Sequence, residues 1–212
     1  IFATEVAIGT GRGTNTLNDN LTFQGLVSAD NSAVLSGAAF SKEVTVANTK
    51  VLTLEGLIEA DGVTFVSQGG ITLGSNAVLT GATLDLASGV LKVADNATLS
   101  GVTLATSVSI TFEFASAKTL EIENSLTVVT GTITVNGDDS HVGTIKGSGD
   151  AKVAFGGTAD FVVNVSATND EYVKFENLTF GSGADLTLRD ADVSTLSVNS
   201  PFVLSGAGTY TD

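Results

Sequence analysis

The chain has 212 residues and 42% hydrophobic content, enough for a sizeable core, yet no run approaches the roughly 18 consecutive apolar residues of a membrane-spanning helix. Nine Lys and Arg, scattered singly, stand against 23 Asp and Glu for a net charge of −14, which argues against the clustered basic surface that nucleic-acid phosphates demand. With no cysteine there is neither a disulfide framework nor a thiolate metal site.

Residues 1–20 stand apart from the pattern that fills the rest. Behind Phe2, the residues Val6 and Ile8 alternate with Glu5 and Ala7 as a short strand does, and Gly9 to Asn15 has the composition of a flexible link. Gly9, Gly11 and Gly13 are spaced G-x-G-x-G, which misses the dinucleotide fingerprint, and no helix follows to hold a phosphate. The segment is expected to be an N-terminal arm or cap. It either packs on its own first coil or leaves it and donates a strand, through Phe2, Val6 and Ile8, to a neighbouring subunit. The start at Ile1 rather than Met is expected of a mature chain whose export signal has been removed.

From residue 21 an apolar-Thr-apolar cassette recurs: Leu21-Thr22-Phe23, Val44-Thr45-Val46, Val63-Thr64-Phe65, Ala82-Thr83-Leu84, Val102-Thr103-Leu104, Leu126-Thr127-Val128 and Leu178-Thr179-Phe180. Most successive Thr are about a score of residues apart, and the step from Thr127 to Thr179 is two such intervals. A fixed period of this kind marks a repeat whose unit cannot bury its own apolar face and must stack on its neighbours. Within each repeat a second cassette follows the first, as at Leu52-Thr53-Leu54, Ile71-Thr72-Leu73, Ile110-Thr111-Phe112 and Leu186-Thr187-Leu188, and a third strand follows at Thr119-Leu120 and Thr195-Leu196. Since successive side chains of a strand point to opposite faces, the apolar pair of each cassette is expected inside and the Thr outside.

Corner segments separate these strands. Asp30 to Gly37, Ser75 to Gly81 and Asp95 to Gly101 are versions of one sequence, rich in the Asn, Asp and Gly that tolerate left-handed backbone at sharp bends. Three short strands per coil and roughly 20 to 25 residues per coil predict an all-β parallel β-helix (β-solenoid) over residues 21–212. Right-handed winding is expected because parallel crossovers strongly prefer it. From about residue 147 the period loosens and Phe155, Phe161, Phe175, Phe180 and Phe202 enlarge the core.

Candidate chemistry is sparse. His141 is the lone histidine, without a Cys or serine elbow beside it, and reads as a solvated loop residue. Glu113, Glu121 and Glu123 alternate with Phe112, Phe114, Leu120 and Ile122, which places them on the solvent side of strands rather than across a cleft as glycoside chemistry requires. Asp138 and Asp139, with Asp190 and Asp192 near Asp185, are oxygen-rich corners and the weak Ca2+ candidates, but neither stretch has the twelve-residue loop pattern; Gly156 to Asp160 only half resembles the calcium nonapeptide. No other metal, cofactor or catalytic residue is expected. Asn20, Asn96, Asn164 and Asn177 head Asn-x-Ser/Thr sequons and are the glycosylation candidates.

The run Asn96-Ala97-Thr98-Leu99-Ser100-Gly101-Val102-Thr103-Leu104 and the ending Leu204-Ser205-Gly206-Ala207-Gly208-Thr209-Tyr210 resemble bacterial adhesin and autotransporter-passenger β-helices, over most of residues 21–212. The resemblance implies a secreted, acidic structural protein or adhesin of the cell surface. The same fold class contains pectate-lyase-like enzymes, which line a groove with aromatic sugar platforms, whereas this chain has no Trp and only Tyr172 and Tyr210. The expected role is therefore an extracellular structural or adhesive subunit, not an enzyme, assembling head to tail into a filament or surface layer through end-to-end strand pairing. Its partners are copies of itself and host or cell-surface glycans. The alternative is a polysaccharide-binding or polysaccharide-cleaving β-helix protein.

Overall fold

The computed structural model describes residues 1–9, 15–87, 89–106, 108–112, 117–129, 132–136, 143–155, 160–164, 173–180, 185–189, 191–198, 202–205 and 210–211. Beyond residue 108, side chains are described only over 117–129, 143–149, 152–153 and 176–179. Among the described residues every regular element is a strand and every pairing is parallel, forming a β-solenoid in which three ladders run the length of the stack.

The first ladder begins with Val6–Ile8 on Val27–Ala29 and continues through Val44–Val46, Thr64–Ser67, Thr83–Asp85 and segments 102–104, 126–128, 152–155 and 178–180 to 196–198. The second runs from 15–18 through 33–36, 52–55, Gly70–Leu73, Val90–Val93 and Val108–Phe112 to Phe202–Ser205. The third runs from 21–23 through 38–40, 57–59, Ala77–Thr80, 97–100 and 120–123 to Tyr210–Thr211. Three strand segments therefore make each turn. Turn length varies beyond the 20 to 25 read from the sequence: Val27 pairs with Val44 (44−27 = 17) and Val135 with Val163 (163−135 = 28).

Alternation along each strand sorts the side chains as the cassettes require. Val44 and Val46 are buried around an exposed Thr45, and Val102 and Leu104 are buried around an outward Thr103. Inward residues stack in columns such as Val44, Phe65, Leu84, Leu104 and Val128, or Leu35, Leu54 and Leu73. Burying each such side chain is worth about 1.5–3 kcal/mol. At the N-terminal end the interior is aromatic: Phe2 stacks on Phe23 at 5.2 Å, Phe23 on Phe40 at 5.1 Å, and Phe65 meets Phe40 edge-on at 5.5 Å. One buried polar side chain is described, Ser67, which stands opposite Val46 in the ladder. Its Oγ accepts the Gly70 N–H at 2.9 Å and the Gly69 N–H at 3.3 Å, so it satisfies the tight turn between the first and second ladders.

The corners are made by single residues in the left-handed region. Between the third and first ladders these are Gly62, Gly81, Gly101, Asn124, Gly149 and Asn177, with φ from 52° to 71°. Between the second and third they are Asn20, Gly37, Gly56 and Asn76, with φ from 47° to 61°. Only glycine takes this region without a Cβ penalty, and Asn is the usual second choice. The corners also bond along the axis, Gly62 N–H to Gly81 O at 3.0 Å and Gly81 N–H to Ser100 O at 2.9 Å.

Residues 1–9 and 15–20, read as outside the repeat, are built into the stack. Val6–Ile8 pairs in register with Val27–Ala29 of the same chain, Ile8 is buried, and Phe2 is held to the next turn by Phe2 N–H to Thr22 O and Gln24 N–H to Phe2 O, both 2.8 Å. Asn15–Phe23 likewise pairs with Ala33–Phe40. These strand slots hold Val-Ala-Ile and Thr-Leu-Asn rather than the Thr-centred cassette that marks the later turns.

Candidate functional site

An open concavity lies on the third ladder, where Ala77–Thr80, Ala97–Leu104 and Lys118–Val128 run side by side. Their inward residues, Leu79, Leu99 and Ile122 among them, are buried in the core, which turns Val78, Thr98 and Glu121 outward. Register then places those three directly beside one another, since Thr98 pairs with both Val78 and Glu121. At the preceding corner Asn76, Asn96 and Thr119 form a second row. Together the six line an open groove of about 310 Å³ running along the solenoid axis.

Bonds between successive turns fix the groove's far wall. Asn96 Oδ1 accepts the Thr119 N–H at 2.9 Å, and Lys118 Nζ donates to Asp95 Oδ1 at 3.1 Å. Asp95 Oδ1 also accepts the Asn96 N–H at 2.8 Å. That backbone bond first, and the Lys118 ammonium second, hold the Asp95 carboxyl below the usual carboxylate range against a small opposing effect of burial. At the other end of the same two strands, Asn124 Nδ2 donates to Ser100 Oγ at 2.8 Å. Beyond Glu121 the row continues through Lys146 to Glu176, so charge alternates in register along the face.

The structure distributes the residues singled out from sequence. Asn20 and Asn177 are exposed and occupy left-handed corner slots, at φ 47° and 52°, so backbone geometry alone accounts for Asn at both. Asn96 is exposed and spends its Oδ1 on the turn-to-turn bond. Asn164 ends the strand Asp160–Asn164 and Asp192 lies in Ala191–Val198, but their side chains, like that of Asp185, are outside the described residues. Glu113, Asp138, Asp139, His141 and Asp190 lie outside them altogether. Among the described residues no three His, Cys, Asp or Glu gather as a metal ion would need. Glu121 and Glu123 do project from one strand into solvent, opposite Thr98 and Ser100. Phe2 is 42% exposed and Val6 half-buried at the first turn. Among the described residues no helix is long and apolar enough to cross a membrane.

The groove itself was not singled out from the sequence. Its one visible trace was the recurrence of Asn76 and Asn96 in two copies of the corner segment, each two residues ahead of an outward side chain. No family model, curated protein or solved structure matches the chain.

Proposed function

We propose that the protein is an extracellular structural or adhesive surface protein, a stiff shaft that assembles by stacking coil on coil. The observation that carries this reading is the unbroken run of three parallel ladders, in which each turn offers the next an in-register row of backbone donors and acceptors above a continuous apolar interior. Such an edge pairs with whatever strand is presented to it. At the first turn the edge of Val6–Ile8 that faces away from Val27–Ala29 has no partner among the described residues, and in the same turn Ile1 and Phe2 are 87% and 42% exposed. In this reading a second copy of the chain stacks its own ladder there, giving a head-to-tail filament or layer.

The proposed role is not catalytic. Glu121 and Glu123 share one flat strand face, whereas acid–base cleavage of a glycoside needs carboxyl groups placed on either side of the bond. Electron microscopy and sedimentation of the full chain and of a chain lacking residues 1–10 test assembly. Fibres or rods are expected from the full chain, and irregular aggregates instead of rods from the shortened one, because the deletion bares Phe23 and the Val27–Ala29 edge. A full chain that stays monomeric at high concentration refutes the filament. Incubation with acidic polysaccharides is expected to give no cleavage products.

A further inference from the structure

We propose that the groove between Asn76 and Glu121 binds an uncharged glycan chain lying along the solenoid axis; the inference rests on the adhesive-shaft reading and supplies its contact surface. The first argument is the donor and acceptor set. Asn96 Oδ1 is committed to the Thr119 N–H at 2.9 Å, which fixes the amide so that its Nδ2 is left to donate outward. Thr98 beside it can both donate and accept, and the Glu121 carboxylate accepts. Neighbouring sugar hydroxyls, each a donor and an acceptor, match that alternation. Val78, half-buried in the same row, offers apolar surface to the C–H face of a sugar ring.

Charge narrows the ligand class. Lys118 at the groove's wall is neutralised by Asp95, leaving Glu121 as the charged residue of the lining, with Lys146 next to it in register. A polyanionic chain would meet that carboxylate and a protein of net charge −14, while the local pull of Glu121 on a polycation is offset by Lys146 beside it. A neutral chain meets no like charge at either residue. One side is also set in advance: the Asn96–Thr119, Asp95–Lys118 and Ser100–Asn124 bonds all tie the turn of Thr98 to the turn of Glu121, so little ordering of those two turns remains to oppose binding. The lining spans two strand spacings of about 4.8 Å each, about the length of a disaccharide.

The probes are cellohexaose, maltohexaose and mannohexaose, with a polygalacturonate oligomer as the acidic control, measured by calorimetry on the full chain. Thr98→Arg fills the groove and Glu121→Lys inverts its charge; both positions face outward, and thermal melts confirm that each variant is folded. Binding of at least one neutral hexasaccharide is expected, weakened at least tenfold in both variants, with the polygalacturonate oligomer binding at least tenfold more weakly. No binding of any neutral probe up to about 1 mM, undiminished binding in folded Thr98→Arg, or equal binding of the acidic oligomer overturns the proposal. Imaging the same wild-type sample for rods separates the two readings: rods without glycan binding overturn the groove alone, and absence of rods overturns the shaft.

Discussion

Truncating Leu104 tests the architecture at its centre. Leu104 is fully buried between Leu84 and Val128 in the inward column of the first ladder, whereas Thr103 beside it points outward between Thr83 and Thr127. Leu104→Ala removes transfer free energy and leaves a cavity that a stacked interior can close only by moving whole turns, so a loss of about 2–5 kcal/mol is expected. Thr103→Ala, changing a surface row, is expected within about 0.5 kcal/mol of wild type. Leu104→Asp adds the burial of an unpaired carboxylate, which costs several kcal/mol more or forces protonation. That total rivals the 5–15 kcal/mol stability of an ordinary domain, so the turns around residue 104 should unfold.

The two aspartate variants sharpen the comparison, because Thr103→Asp places the same charge one residue away but in water. Urea unfolding followed by far-ultraviolet circular dichroism reads both. In a solenoid each turn contacts chiefly its neighbours, so Leu104→Asp is expected to split the transition or lower its slope, leaving distant turns folded. Equal harm from the two aspartates, or a loss below about 1 kcal/mol for Leu104→Ala, would refute the assignment of faces.

Gly81→Ala should cost more than Gly101→Ala: both have left-handed φ, at 63° and 62°, and each incurs about 1 kcal/mol for that, but a Cβ at Gly81 would also meet the Asp61 Cα at 2.7 Å while Gly101 has open space. Equal midpoints for the two in thermal melts would contradict this. Thr49, a β-branched residue at φ 63°, is strained where it stands, so Thr49→Gly is expected to stabilise by about 0.5–1 kcal/mol, checked by the same melts. Ser67→Ala leaves the Gly69 and Gly70 N–H groups without their acceptor and should cost about 1–3 kcal/mol in urea titration. For Asp95 the folded carboxyl is lowered, so its contribution is present above the ordinary carboxylate range and is lost as pH falls through the lowered value. Its side chain is 40% exposed, which limits the effect to below about 1 kcal/mol; Asp95→Asn should flatten that part of the acid-side stability profile measured against wild type.

Much of the fold was legible because the cassette is a direct image of the pleat. An apolar-Thr-apolar triplet has one arrangement that buries two residues and exposes one, and repetition at the length of a turn puts Thr83, Thr103 and Thr127 in register. The missing copy between Thr127 and Thr179 shows the limit of that signal. The slot is filled by Lys152-Val153-Ala154-Phe155, with Val153 buried and Lys152 exposed, so the turn is present while its marker residue is not. Ser67 shows a second limit: it takes an interior position opposite Val46, and nothing in the sequence says that a turn two residues later needs its oxygen.

The groove was harder to read for a different reason. Its residues are unremarkable within any one turn, where an Asn followed by Ala-Val or Ala-Thr is ordinary corner chemistry. Their combination depends on register, because Val78, Thr98 and Glu121 become neighbours only once turns of different length are aligned, 20 residues apart for the first pair (98−78 = 20) and 23 for the second (121−98 = 23). The longer second interval keeps the strands aligned while changing what they present, from Asn and Thr to Thr and Glu. In a solenoid the core constrains inward positions turn after turn, but each outward position is free to differ from the one beneath it. A binding surface on such a protein is therefore written across the turns, and the constancy that makes the fold visible in one dimension conceals the site in the other.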